Sequence, residues 1–256
     1  MGSKPSEPVV HIADRMPPIT SPLEARLAHD YGAIFITTAT PPPYIVFPDE
    51  QQVVEFQSGL NVSRRTFGEY EIELQSVAIE ALAAAAEEAS RRGSSISARA
   101  ADAGRRSYQD TVSLWLRNVE RGLDHWVAAG SINNDNSERI RRLPLAEQVS
   151  EILKIEEARQ LYFGTYFDRS ILSSVAAPGS SQHLSMLAFD VSEYQDDIVE
   201  RVLSEHGWHR TVPGDLPHFT YLGCTEAVLP CRGLKQGVLN HDGLLYGFWV
   251  PDLGGT

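Results

Sequence analysis

Amphipathic helices fill the middle of this chain and short strands fill its last third. That order constrains the fold more than any other feature. Residues 108–129 place Val112, Trp115, Val119, Leu123 and Trp126 on one apolar stripe. Ser107 with Asp110 forms a capping box at the start of this helix, and Gly130 ends it. A second helix is expected over 67–92, opened by Thr66 with Glu69 and closed by Arg91, Arg92 and Gly93. A third is expected over 145–160, with Leu145, Val149, Ile152 and Leu153 on one face. The segment Asn133-Asn134-Asp135-Asn136 reads as a polar loop.

The strand signals are shorter. Residues 31–37 and 44–47 read as strands separated by Pro41-Pro42-Pro43, and 95–99 as a further short strand. Beyond Pro178-Gly179, strands are expected at 186–191, 208–212, 218–222 and 245–250. One helix, 194–206, lies among them, capped by Ser192 and Gln195 and ended by Gly207. Helices first and strands later predict an α+β fold, a small antiparallel sheet packed against several helices, rather than a doubly wound sheet. The Pro-rich first 20 residues read as a flexible arm, and 21–256 as a single α+β domain.

Charge excludes some partners. The chain of 256 residues carries a formal charge of −12, which argues against nucleic acid and against an anionic membrane surface. No apolar run approaches the ~18–20 residues of a membrane span. The opening residues, Met1 to Pro8, show no apolar stretch of the secretory kind. Cys224 and Cys231 are too few for a disulfide scaffold; they pair if the protein is exported and are otherwise ordinary thiols.

Among eight histidines, two fall in turn-and-strand segments with acidic partners. His183 and Asp190 share the first segment, and Asp215 and His218 share the second. His183, Asp190 and His218 make a two-histidine, one-carboxylate set, which suits zinc and leaves a fourth position open. His206 and His209 have H-x-x-H spacing, but Gly207 between them ends a helix, so they are not expected to share a face. His11, His29, His125 and His241 read as ordinary surface or core residues.

These segments resemble the metal-binding motifs of the zinc D-alanyl-D-alanine carboxypeptidases and dipeptidases, a superfamily that includes lysostaphin-type endopeptidases and the hedgehog domain. The pattern S-x-H-x6-D followed by E-x-x-H is carried here by Ser181, His183, Asp190 and the stretch Asp215 to His218. A Pro-Gly precedes the first motif, and Phe219, Tyr221 and Gly223 follow the last histidine as the pattern has it. Upstream, Gly104-Arg105-Arg106-Ser107-Tyr108 is similar to the G-Y-R-S-Y element whose arginine holds substrate. The resemblance covers about 95–225, with 21–94 as an N-terminal helical extension.

The resemblance implies one zinc ion held by His183, Asp190 and His218, with Asp215 as general base. It implies that Arg106 grips the carboxylate of a peptide, with Ser181 also on the substrate side. Arg106 immediately precedes the Ser107 N-cap, where free N–H groups favour an anion; Arg99 and Arg105 are near alternatives for the same task. The implied activity is hydrolysis of D-amino-acid-terminated peptidoglycan stem peptides, first as a D,D-carboxypeptidase, in a periplasmic or extracellular setting. The sequence also departs from the pattern. Asp215 replaces a longer Glu, Pro217 replaces a Trp, Arg105 replaces a Tyr, and His218 follows Asp190 by only 28 positions. Those departures carry the rival readings, a zinc-retaining but inactive binding module or an endopeptidase on the same scaffold.

Overall fold

The computed structural model describes residues 11–241 and 243–254. Its helices are α1 (Ile12–Arg15), α2 (Pro22–Tyr31), α3 (Glu50–Ser58), α4 (Ser76–Arg91), α5 (Tyr108–Ala128), α6 (Asn134–Arg141), α7 (Leu145–Arg159) and α8 (Asp197–Glu205). Its strands are β1 (Val62–Phe67), β2 (Tyr70–Gln75), β3 (Ala188–Asp190), β4 (Trp208–His209), β5 (His218–Tyr221), β6 (Leu234–His241) and β7 (Leu244–Pro251). They form two antiparallel hairpins, β1–β2 and β6–β7, and a three-stranded antiparallel sheet ordered β3–β5–β4. The fold is α+β, as the order of the elements predicts. Among the described residues no helix is long and apolar enough to cross a membrane.

Several elements follow directly from the chain. Helix α5 opens on the predicted capping box, with Ser107 and Asp110 bonding each other's backbone. It buries Trp115, Val119 and Leu123, and the Trp115 indole donates to Gln148 of α7. Helix α7 lies where 145–160 was expected.

Others correct the reading. Residues 62–75 are a hairpin, so the expected helix over 67–92 begins only at Ser76. Thr66 lies in β1 and Glu69 in the hairpin's tight turn, so neither caps a helix. Gly68 turns the chain at φ +67°, and Phe67, Ile72 and Leu74 bury their side chains against the core. The apolar run 31–37 is the end of α2 followed by a 3-10 turn over Gly32–Ile36, all of it buried. A short, continuously apolar run has no period that separates strand from helix. Residues 44–47 join no sheet, although Phe47 N–H donates to the Gly179 carbonyl. Residues 95–99 contribute a single bridge, Ala98 to Val191. The Asn-rich segment 133–136 opens α6 instead of looping, because Asn133 Oδ1 caps Asn136 N–H at 2.8 Å. Helix α8 is capped by Asp196 rather than by Ser192 or Gln195. Strand β6 had no sequence counterpart.

One cluster of buried side chains reaches from Ile12 to Trp249. Residues 11–20 therefore differ from the expected arm: Ile12 is 1% exposed within α1. Residues 1–10 of that expected arm lie outside the described residues. The 160–181 connection, which frames the site described below, is pinned to α5 by close packing. A Cβ at Gly122 would lie 2.1 Å from the Phe163 ring. Gly122→Ala is expected to cost about 1–3 kcal/mol of stability, seen as a lower thermal midpoint.

Candidate metal centre

The sheet itself brings two of the predicted ligands together. In the β3–β5 pair Asp190 lies directly opposite His218, so both side chains stand on one face. The backbone of Asp190 is held from the other side as well. Its N–H donates to the Ala103 carbonyl, and its carbonyl accepts from Arg99 N–H. His183 arrives from the 3-10 turn Gln182–Ser185, which ends at Met186 with φ +58° and hands the chain to β3. The result is a His183–Asp190–His218 group whose ligand atoms lie within 4.8 Å of one another. His183 and His218 are 1% and 4% exposed.

The hydrogen-bond network decides which nitrogens face inward. His183 Nδ1 lies 2.6 Å from the Gly104 carbonyl, which can only accept, so Nδ1 carries the proton and Nε2 keeps its lone pair. His218 Nε2 lies 2.8 Å from Gln182 Oε1. That amide is oriented by its own Nε2, which donates to the Tyr31 carbonyl at 2.7 Å. Gln182 Oε1 is therefore an acceptor, shared with the hydroxyls of Thr211 and Thr220. His218 thus presents Nδ1. Both free ring nitrogens lie 3.2 Å from the same oxygen, Asp190 Oδ1. His183 Nε2 is fully buried with no hydrogen-bond partner.

Two lone pairs converging on a carboxylate oxygen in a buried site repel one another unless a cation sits among them. That is the arrangement a metal ion resolves. The protonation state of His183 agrees: burial, then the charge of Arg106, pushes its imidazole down to about 4, so it is neutral at pH 7.

Gln182 has no place in the sequence reading, and its role depends on Tyr31, 151 residues away. The only local signal is its position beside His183. Gln182→Ala is expected to weaken metal affinity roughly 10–100-fold while leaving all three ligands in place. Titration with a competing chelator reads this directly.

The other predicted residues gather around the same cavity, about 470 Å³, which His183, Asp190 and His218 also line. Asp215 lines it with no hydrogen bond to its carboxylate among the described contacts. Burial, then the charge of Asp190, raises that carboxyl to about 6. Arg106 lines it too, with Nη2 on Asp190 Oδ2 at 2.8 Å and Nε on the Asp102 carbonyl at 3.2 Å. The arginine expected to hold substrate therefore also braces a ligand. Arg99 lines the cavity, its guanidinium over the Tyr194 ring. Arg105 does not, since it is spent on Gln57 and Glu73. Ser181 lines the cavity beside His183.

The remaining candidates fall away from the centre. His209 is buried and bonded to the Cys224 carbonyl, so it forms no pair with His206. His125 stacks on Phe167. Cys224 and Cys231 are free thiols. The side chain of His241 lies outside those described. Comparisons with protein-family models, with curated proteins and with solved structures found no match to this chain.

Proposed function

We propose that this chain is a zinc-dependent peptidase acting on D-amino-acid-terminated peptides of the peptidoglycan stem, working as a D,D-carboxypeptidase. The observation that carries the reading is Asp215. It is an unbonded carboxyl with its pKa raised to about 6, lining the same cavity as the His183–Asp190–His218 group. A purely structural metal site has no use for a free carboxyl of near-neutral pKa beside it, whereas general acid–base catalysis needs one.

Two imidazoles and one carboxylate are a donor set that zinc takes in catalytic sites with one position left open. Bound there, zinc would supply Lewis acidity to a peptide carbonyl and to a water molecule. Asp215 would take the proton of the attacking water and return it to the leaving amine. Arg106 keeps its Nη1 for a ligand, and with Arg99 it offers the substrate's terminal carboxylate a cationic seat. Gln182 and the Gly104 carbonyl hold the two imidazoles in the tautomers this chemistry needs. Stem peptides lie outside the cytoplasm, so the proposal carries a periplasmic or extracellular workplace with it.

The test is D-alanine release from a pentapeptide stem by zinc-loaded protein, wild type against His183→Ala. Release by the wild type alone supports the peptidase. Bound zinc without release on any stem peptide overturns it in favour of a metal-retaining binding module.

A further inference from the structure

Asp215 lies on the connection between β4 and β5, in the stretch Val212-Pro213-Gly214-Asp215-Leu216-Pro217. Two prolines leave this stretch few N–H groups with which to anchor itself. Asp215 N–H donates to the Val212 carbonyl and His218 N–H to the Asp215 carbonyl, so these bonds close the turn on itself. Its hold on the rest of the molecule runs through carbonyls. The Pro217 carbonyl accepts from Val191 N–H at 2.9 Å, and the Leu216 carbonyl accepts from Arg210 Nε at 3.0 Å.

Arg210 stands behind the cavity rather than in its lining, and is 4% exposed. Its guanidinium carbon lies 4.7 Å from the centre of the Phe219 ring and 5.3 Å from that of Tyr246. Its carbonyl accepts from Trp249 N–H at 2.8 Å. Strands β5 and β7 therefore fix where the guanidinium sits. Nη1 pairs with Glu200 of α8 at 2.5 Å, which balances the charge, and Nη2 donates to the Tyr194 carbonyl at 2.5 Å. Burying a charge this deeply is costly even when it is paired, and an apolar side chain would fill the same space. What an apolar side chain cannot do is grip the carbonyls of two segments at once. A planar fork can, and here it ties Leu216, next to Asp215, to Tyr194 in the stretch after β3. We propose that Arg210 is a positioning residue, setting through the Leu216 carbonyl where the Asp215 carboxyl stands relative to the His183–Asp190–His218 group. It touches no substrate. The proposal rests on the peptidase reading and names the part of the fold that aims its base.

The experiment compares zinc-loaded wild type with Arg210→Lys and Glu200→Gln. Lysine keeps the charge beside Glu200 and loses the fork, whereas Glu200→Gln loses the charge pair and keeps the fork. In Arg210→Lys, hydrogen exchange at the Asp215 and His218 amides is expected to quicken about tenfold, while the amides of α5 keep their wild-type rates. Its kcat for D-alanine release from a pentapeptide stem should fall roughly 10–100-fold, with KM and bound zinc unchanged. Added to Asp215→Asn, the same substitution should cost no further turnover, because it acts through the side chain already lost. Glu200→Gln should leave exchange and kcat close to wild type. Unchanged exchange at the two amides overturns the proposal. So does quickening spread evenly over the chain, or loss of the fold, either of which makes Arg210 a merely structural residue. A further loss of turnover in the Asp215→Asn background, or an equal effect from Glu200→Gln, overturns it as well. Local quickening in a protein whose wild type releases no D-alanine leaves the hold on the Asp215 turn standing and sinks the peptidase reading.

Discussion

Asp215→Asn is expected to retain zinc and to lose turnover by roughly 10²–10⁴-fold, the usual worth of a positioned general base. The isosteric amide keeps the shape of the turn that leads into β5 and removes only the proton acceptor. The same substitution has an opposite effect on stability. In metal-free protein the Asp215 carboxyl titrates at about 6, above its ordinary 3.8, first because it is buried and next because Asp190 stands near it. A carboxyl raised in this way stabilises the fold below its ordinary value and loses that contribution as pH rises through the folded value. At pH 7 the ionised side chain therefore costs roughly 2–3 kcal/mol. Metal-free Asp215→Asn protein should be more stable than metal-free wild type at pH 7 by about that amount, and the gap should close as pH falls below about 4. Urea unfolding at the two pH values reads the gap. A variant that is inactive and also less stable at pH 7 would show a structural Asp215, not a base.

His183→Ala is expected to reduce zinc affinity by well over 100-fold, more than the loss of an outer partner such as Gln182 costs. The substitution removes a ligand atom that has no other role: Nε2 is buried and without a hydrogen-bond partner. His209→Ala provides the control. His209 is also buried, at 3% exposed, and also bonds a carbonyl, so its loss perturbs the core but should leave zinc content unchanged. If both variants lose zinc alike, the loss reflects unfolding and not ligation. Zinc per chain, measured after dialysis against a weak chelator, separates these outcomes.

The difference between what could be read in the chain and what could not has physical causes. Helices α5 and α7 were legible because each carries an apolar stripe at helical spacing, and α5 a cap that the structure reproduces. The β1–β2 hairpin was hidden by the alanine-rich run that follows it, which drew the expected helix start back past Gly68. Helix α6 was hidden because an asparagine N-cap and a polar loop look alike until the backbone is seen. At the site, His183, Asp190 and His218 were legible as a spaced two-histidine, one-carboxylate set, and the β3–β5 register explains why Asp190 and His218 meet on one face; Asp215 came only with the resemblance. Gln182 was not legible, because an amide's role is set by what orients it, here the carbonyl of Tyr31.

The measurement that bears most directly on the central claim is anomalous diffraction at the zinc edge from crystals of the zinc-loaded protein. One strong peak is expected at about 2.0–2.2 Å from His183 Nε2, His218 Nδ1 and an Asp190 carboxylate oxygen. Gln182 Oε1 should still hold His218 Nε2, and the Gly104 carbonyl should still hold His183 Nδ1. A peak elsewhere, no peak, or ligation through the opposite ring nitrogens would contradict it.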